Sequence, residues 1–283
     1  VSYDWLCLQN DIAGLHTPER INLFTVNGTA VSMWDGPPAD TARALDDERW
    51  LWQPIGYSSA TFPMLPSRRE GEEELVKQIN FHHGKIALAG YSQGALVTGT
   101  VWRDRILNPA GDLHHRLKDV VAVIHWGDPM RCPGVANGNR FAGLPMPKDL
   151  DGQVTGGIAG SDNLKPEETP DFLLSFANDG DLYAAAPCGA DPWGNDGANE
   201  AEVGKVEKLI YDVIQELDFN DVLAIAEEIL KVIFMPFTYL IPLIQAITNG
   251  VLFFGAGMAA PHYHYPIDGA VAYLRQAAGR VLV

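Results

Sequence analysis

A chain of 283 residues, 47% hydrophobic and 20% charged, has room for one large domain or two and enough apolar residues to bury a sizeable core, which sets it apart from disordered chains. Its formal net charge of −16 is concentrated, since residues 149–228 hold 19 acids against 3 bases, the whole of the excess. Phosphate binding requires clustered Lys and Arg, so this balance argues against nucleic acid and against electrostatic attraction to anionic lipid.

Cys7, Cys132 and Cys188 are too few, and odd in number, for a disulfide framework. Reduced thiols are the expectation, with Cys132 to Cys188 as the one bridge the sequence leaves open. The N-terminus shows neither a basic n-region nor a long apolar core, so no signal peptide is visible, and synthesis in a reducing cytoplasm is expected. The sequence does not begin with Met and is compatible with a longer gene product.

Residues 1–20 mix Trp5, Leu6, Leu8 and Ile12 with polar residues and read as a covering segment or the tail of a preceding module. Residues 21–27 are β-rich and end at Gly28-Thr29, a first core strand and its loop. A helical stretch begins over residues 40–45. Residues 50–66 carry Trp50, Trp52, Tyr57, Phe62 and three prolines and read as a packed loop, and residues 68–81 as a charged amphipathic helix with Leu75, Val76 and Ile79 inward. Ile86-Ala87-Leu88-Ala89 predicts a short buried strand. It runs into Gly90-Tyr91-Ser92-Gln93-Gly94 and then a helix-like stretch over 95–102. Strand, glycine-flanked serine and helix are the context of a nucleophile elbow, a strained turn that holds Ser92 exposed above the sheet.

Residues 120–124 predict a second strand covered on both faces. Residues 132–160, rich in Gly, Pro and Asn, predict a long surface loop, and residues 172–177 a third strand ending at Asn178-Asp179-Gly180-Asp181. Strands alternating with helices give an α/β fold, a mostly parallel sheet wrapped by helices. Ligands of such sheets meet the loops at the carboxyl ends of the strands, where Thr29, Ser92 and Asp181 lie. Residues 200–260 break the alternation. Val203, Val206, Ile210, Val213, Ile214 and Leu217 mark one helix face, and Val222, Ala226, Ile229 and Ile233 another behind Asn220 as cap. Residues 232–247 are apolar apart from Thr238 and Gln245 but are broken by Pro236 and Pro242, too short a run for a membrane span. The expectation is an all-helical insertion between catalytic-domain segments 21–199 and 261–283, its apolar faces either packing helix on helix or forming a lid toward lipid.

A serine hydroxyl becomes a nucleophile when an imidazole removes its proton, and the imidazole needs a carboxylate to fix its tautomer and steady its charge. In an α/β-hydrolase the three follow in the order Ser, acid, His. Ser92 is followed by Asp181 and then by Pro261-His262-Tyr263-His264-Tyr265. Two other acids compete: Asp128 follows the strand immediately after the elbow, one too early, and Asp179 lacks the preceding glycine that lets a tight turn aim Asp181. Between His262 and His264 the residues alone do not choose. Backbone N–H groups of Gln93 and of the first loop, with Thr29 as the candidate, form the expected oxyanion hole. The adjacent pairs His82-His83 and His114-His115 cannot easily converge on one ion, and acidic residues 191–200 lack calcium-loop spacing, so no metal or other cofactor is expected.

Phe24-Thr25-Val26-Asn27-Gly28-Thr29, Trp52-Gln53-Pro54-Ile55-Gly56, Ala89-Gly90-Tyr91-Ser92-Gln93-Gly94-Ala95, Trp126-Gly127-Asp128-Pro129-Met130-Arg131, Asp179-Gly180-Asp181-Leu182-Tyr183-Ala184 and Pro261-His262 together resemble the bacteriophage lysin B enzymes, cutinase-like α/β-hydrolase esterases with a helical insertion before the catalytic histidine. The resemblance spans about residues 21–280 and leaves residues 1–20 outside. It implies Ser92 as nucleophile, Asp181 as acid and His262 rather than His264 as base. It also implies hydrolysis of the ester joining mycolic acids to arabinogalactan at the cell envelope during phage lysis. Separately from the resemblance, a monomer working without cofactor is expected. A general cutinase or lipase acting on simple lipid esters is the alternative enzyme, and a binding protein on a hydrolase scaffold, gripping lipid or a partner with the insertion, the alternative of another class.

Overall fold

The apolar runs of the sequence become one sheet. In a computed structural model of the chain, which describes residues 19–60, 64–148, 154–189, 191–193 and 256–282, the strands are β1 (Ile21–Val26), β2 (Trp50–Pro54), β3 (Ile86–Tyr91), β4 (Val120–Trp126), β5 (Thr155–Gly156), β6 (Leu173–Phe176) and β7 (Ala186–Pro187). Five of them pair in the order β2-β1-β3-β4-β6, every pair parallel, while β5 and β7 form a separate antiparallel pair. Helices α1 (Gly36–Ala44), α2 (Met64–Phe81), α3 (Gln93–Thr100), α4 (Asn137–Ala142) and α5 (Asp268–Val281) complete the frame.

Side chains alternate across each strand, so β3 serves two cores. Ile86 and Leu88 pack with Leu75 and Ile79 of α2 and Leu96 and Val97 of α3 on one face. Ala87, Ala89 and Tyr91 pack with Ala270, Val271 and Leu274 of α5 on the other. Both faces are covered, which is why β1 and β3 are buried at every position; β3 opens on the apolar run Ile86–Ala89, and the polar Asn22 and Thr25 of β1 are buried with hydrogen-bond partners.

The structure departs from the sequence reading in three places. Residues 50–66 are not a loop throughout, because Trp50–Pro54 is β2, the edge strand beside β1. An edge strand pairs on one side only and tolerates a mixed composition. Here Trp52 donates from Nε1 to Thr25 Oγ1 at 2.7 Å and stands edge-on to Trp34. Helix α1 begins at Gly36, ahead of Asp40, because Pro37 and Pro38 occupy its first turn, where their missing N–H groups have no helical partner to lose. Residues 132–160 are not all surface. Asn137 and Asn139 are buried in α4 and donate from Nδ2 to the carbonyls of Leu173 and Ala177 at 3.0 and 2.8 Å, so polar side chains satisfy backbone groups around β6.

No disulfide joins Cys132 to Cys188, and burial pushes the Cys132 thiol up to about 11. Residues 1–18 of the N-terminal segment, with Cys7, and most of the expected helical insertion, with the apolar run 232–247, lie outside the described residues. Among the described residues no helix is long and apolar enough to cross a membrane.

Candidate active site

Ser92 stands between β3 and α3 with φ 56° and ψ −120°, a backbone conformation that costs about 1–3 kcal/mol for a side-chain-bearing residue and persists where its surroundings enforce it. Two contacts enforce it. The Ser92 N–H donates to Trp126 O on β4 at 3.0 Å. At Gly94 the main chains of the elbow and β1 meet so closely that a Cβ would lie 2.1 Å from Val26 O.

The Ser92 hydroxyl lies 2.9 Å from His262 Nε2, and His262 Nδ1 lies 2.8 Å from Asp181 Oδ2. The carboxylate selects the tautomer with hydrogen on Nδ1, which leaves Nε2 to accept from the serine. Asp181 is fully buried in the turn after β6, and Gly180 just before it has φ +73°. Burial opposes ionisation of its carboxyl. The His262 charge and the hydrogen bonds from His262, Tyr265 and the Tyr183 N–H outweigh that penalty, and Asp181 titrates below its ordinary value.

His262 occupies a tight turn, Pro261–Tyr263, and is buried, whereas His264 is exposed and lies 2.9 Å by Nε2 from Met258 O. Asp179 is exposed as well and accepts the Lys148 N–H at 2.9 Å. Asp128 is engaged elsewhere. Its Oδ2 lies 2.7 Å from His125 Nδ1, and His125 Nε2 lies 2.9 Å from Thr98 Oγ1, with both rings of contact sealed from solvent. The structure therefore brings Ser92, Asp181 and His262 together and leaves Asp128, Asp179 and His264 out.

Thr29 and Gln93 face each other across the elbow. Thr29 Oγ1 donates to Gln93 Oε1 at 3.3 Å, and the Tyr57 hydroxyl donates to Asn27 O at 2.5 Å, within 3.5 Å of the same Gln93 oxygen. Their backbone N–H groups belong to the β1–α1 loop and to the first turn of α3, the two segments that supply an oxyanion hole in this class of fold. Beside Thr29 a cavity of about 370 Å³ is lined by Ala30, Val31, Met33, Ile55 and Tyr57.

Motif reading missed several members of the site. The passage over residues 126–131 supports all three candidate triad members. Trp126 O holds the Ser92 backbone. Gly127, at φ +56°, lets His262 approach so closely that a Cβ would lie 2.7 Å from Cε1. Arg131 is fully buried and donates from Nε to Ala184 O at 2.5 Å, while Ala184 N–H reaches Asp181 Oδ1 at 3.3 Å. Tyrosines surround the imidazole: Tyr91 stacks on it at 5.2 Å, Tyr183 tilts against it at 4.8 Å, and Tyr263 and Tyr265 approach edge-on. Tyr91 and Tyr265 also bond the site, to His262 O at 2.9 Å and to Asp181 Oδ2 at 2.5 Å. Tyr91, Gly127, Arg131 and Tyr183 stand inside the quoted motifs and Tyr265 in the passage that holds His262, but no residue pattern marked the part each plays in the site.

The histidine pairs have structural surroundings. His82 stands edge-on to Phe24 and Phe81, and burial followed by His83 lowers its pKa. His114 Nδ1 lies 3.0 Å from Ile106 O. Among the described residues no three His, Cys, Asp or Glu side chains converge as metal ligands.

No protein-family model matches the chain. Among characterised proteins it is 36% identical over 268 residues to Endolysin B of Mycobacterium phage D29 and 34% identical over 265 residues to Endolysin B of Mycobacterium phage L5, each match covering 90% of this chain and 98% of the relative. Among solved structures it is similar to lysin B from Mycobacteriophage D29, with TM-score 0.65 and 34% identity over 91% of this chain and 100% of that one.

Proposed function

The chain belongs to the phage endolysin B family of cutinase-like serine esterases, and on that premise we propose that Ser92, His262 and Asp181 are its nucleophile, base and orienting acid and that it cleaves the ester joining mycolic acids to arabinogalactan during host lysis. The observation that carries the assignment is the continuous path from Ser92 Oγ through both nitrogens of His262 to Asp181, with steps of 2.9 and 2.8 Å.

The chemistry follows from that path. His262 Nε2 takes the proton of Ser92 as the oxygen attacks the ester carbonyl. The charge on the carbonyl oxygen is met by the N–H groups of Gln93 and Thr29. Collapse of the tetrahedral intermediate expels the sugar alkoxide, which takes the proton held by His262, and an acyl-enzyme remains. Water enters where the sugar left and gives a proton to His262 Nε2 as its oxygen attacks the acyl carbonyl; collapse breaks the bond to Ser92 Oγ, which takes that proton back from His262, and the fatty acid is released. No cofactor enters the cycle.

Purified mycolyl-arabinogalactan incubated with the protein should yield free mycolic acid, detected by mass spectrometry. Absence of that acid, alongside rapid hydrolysis of triglyceride, refutes this substrate and leaves a general lipase.

A further inference from the structure

The fully buried carboxylate of Asp181 receives four hydrogen bonds, as many as its oxygens accept. Oδ1 takes the N–H groups of Tyr183 at 2.9 Å and Ala184 at 3.3 Å, both fixed by the turn. Oδ2 takes His262 Nδ1–H at 2.8 Å and the Tyr265 hydroxyl at 2.5 Å. Tyr265 thus shares with the imidazole the one oxygen that faces it. The direction of its proton is set from behind, because the Asn178 N–H donates to the Tyr265 oxygen at 3.3 Å and leaves the phenol hydrogen to the carboxylate.

Resting on the triad assignment above, we propose that Tyr265 is a positioning residue of the hydrolysis: its hydroxyl draws off part of the Asp181 charge and so sets how firmly the carboxylate holds the imidazolium formed when Ser92 loses its proton. A carboxylate oxygen that accepts two hydrogen bonds divides its charge between them. With the phenol gone, Oδ2 serves His262 alone, the charged imidazole is favoured, and the free base that Ser92 requires appears only at higher pH.

The titratable groups facing this carboxylate are His262, Tyr265, Tyr91 and Tyr183; Tyr263 interacts with Tyr91 and Tyr183, and Arg131 with Tyr265. Burial and then the Asp181 charge push the phenols of Tyr91, Tyr183 and Tyr265 up, Tyr183 to about 12, so these three stay neutral across the working range. Arg131 stays cationic there although burial lowers its pKa.

The test is the dependence of kcat/KM on pH for a soluble p-nitrophenyl ester, measured on the full chain. Tyr265→Phe keeps the ring and deletes the oxygen. Its acid limb should move up by about 0.5–1 pH unit, with KM unchanged. Tyr91→Phe loses a buried hydroxyl that bonds His262 O rather than Asp181, and its acid limb should stay in place. Replacing Tyr265 with 3-fluorotyrosine strengthens the donor without changing the shape, which should move the limb down and keeps the test open where the phenylalanine variant does not fold. A limb that stays in place in the Tyr265 replacements overturns the proposal whatever the change in thermal stability, because lost packing alone does not move it. Ser92→Ala separates this from failure of the assignment beneath it: wild-type turnover in that variant ends both, whereas an inactive Ser92→Ala with an unmoved limb ends only the role of Tyr265.

Discussion

Two histidine–aspartate pairs lie near the carboxyl end of β4, His262 with Asp181 at 2.8 Å and His125 with Asp128 at 2.7 Å, and each histidine turns its Nε2 to a hydroxyl 2.9 Å away. The hydroxyls differ. Ser92 sits at a strained, partly exposed turn, whereas Thr98 lies in the middle of α3, is fully buried, and donates to Gly94 O at 2.9 Å. A relay of hydroxyl, imidazole and carboxylate is therefore not by itself an active site. What separates the two is access to the oxygen and the backbone geometry that lifts it clear of its helix. The inner array bonds α3 to the end of β4 and the loop after it.

Matched substitutions test the contrast. Ser92→Ala should lower kcat on a p-nitrophenyl ester by about 10⁴-fold or more with an unchanged melting temperature. Thr98→Val removes the corresponding inner hydroxyl and should keep activity within about ten-fold, at a cost of about 1–3 kcal/mol for the buried polar partner left unpaired, read by denaturant titration. Loss of turnover in both would erase the distinction.

The carboxylates should divide in the same way. Asp181→Asn should reduce kcat by about 10⁴-fold, because the amide no longer fixes the Nδ1–H tautomer. Asp128→Asn should act on stability, lowering the melting temperature by about 2–4 °C for each kcal/mol lost, with turnover largely kept. Gly127→Ala is a smaller perturbation that reaches both arrays, since Gly127 stands between His125 and Asp128 at φ +56°. A methyl group 2.7 Å from His262 Cε1 forces the ring aside, and displacement of that order should cost about 10²-fold in kcat, with a lowered melting temperature from the strained backbone.

The smallest effect is a pH dependence of stability. The native Asp181 carboxyl titrates below its unfolded value of about 3.9, so its contribution is complete above that pH and is lost as pH falls toward the native value, where the folded state too becomes protonated. Melting temperature followed from pH 6 downward should fall more steeply for the wild-type chain than for Asp181→Asn. Parallel curves would mean that the outer carboxylate contributes nothing of this kind.

How much of this was legible in the sequence depended on whether the signal was local. The central strands β3 and β4 and the fully buried edge strand β6 announce themselves because burial on both faces demands mostly apolar runs, whereas the other edge strand, β2, is half covered and its tryptophans read equally well as a loop. Ser92 and Asp181 were found because elbow and turn require glycine beside them. His262 and His264 were inseparable by residue type, and the tight turn over Pro261–Tyr263 is what sends one ring inward and the other out. Tyr265 meets Asp181 across 84 positions, a pairing with no periodicity to betray it. Arg131 carried the opposite signal, since a cation is expected at the surface, yet three neutral acceptors, Ala184 O, Val135 O and Thr155 Oγ1, hold it inside.

The approach of Gly94 to Val26 O also limits how such an enzyme is remodelled. Two main chains touch there with no side chain between them, so the base of the cleft offers no position at which added bulk or added space is tolerated. Variants selected for bulkier esters should instead accumulate in the β1–α1 loop, where Ala30 faces solvent and the neighbouring cavity has walls that side-chain changes reshape.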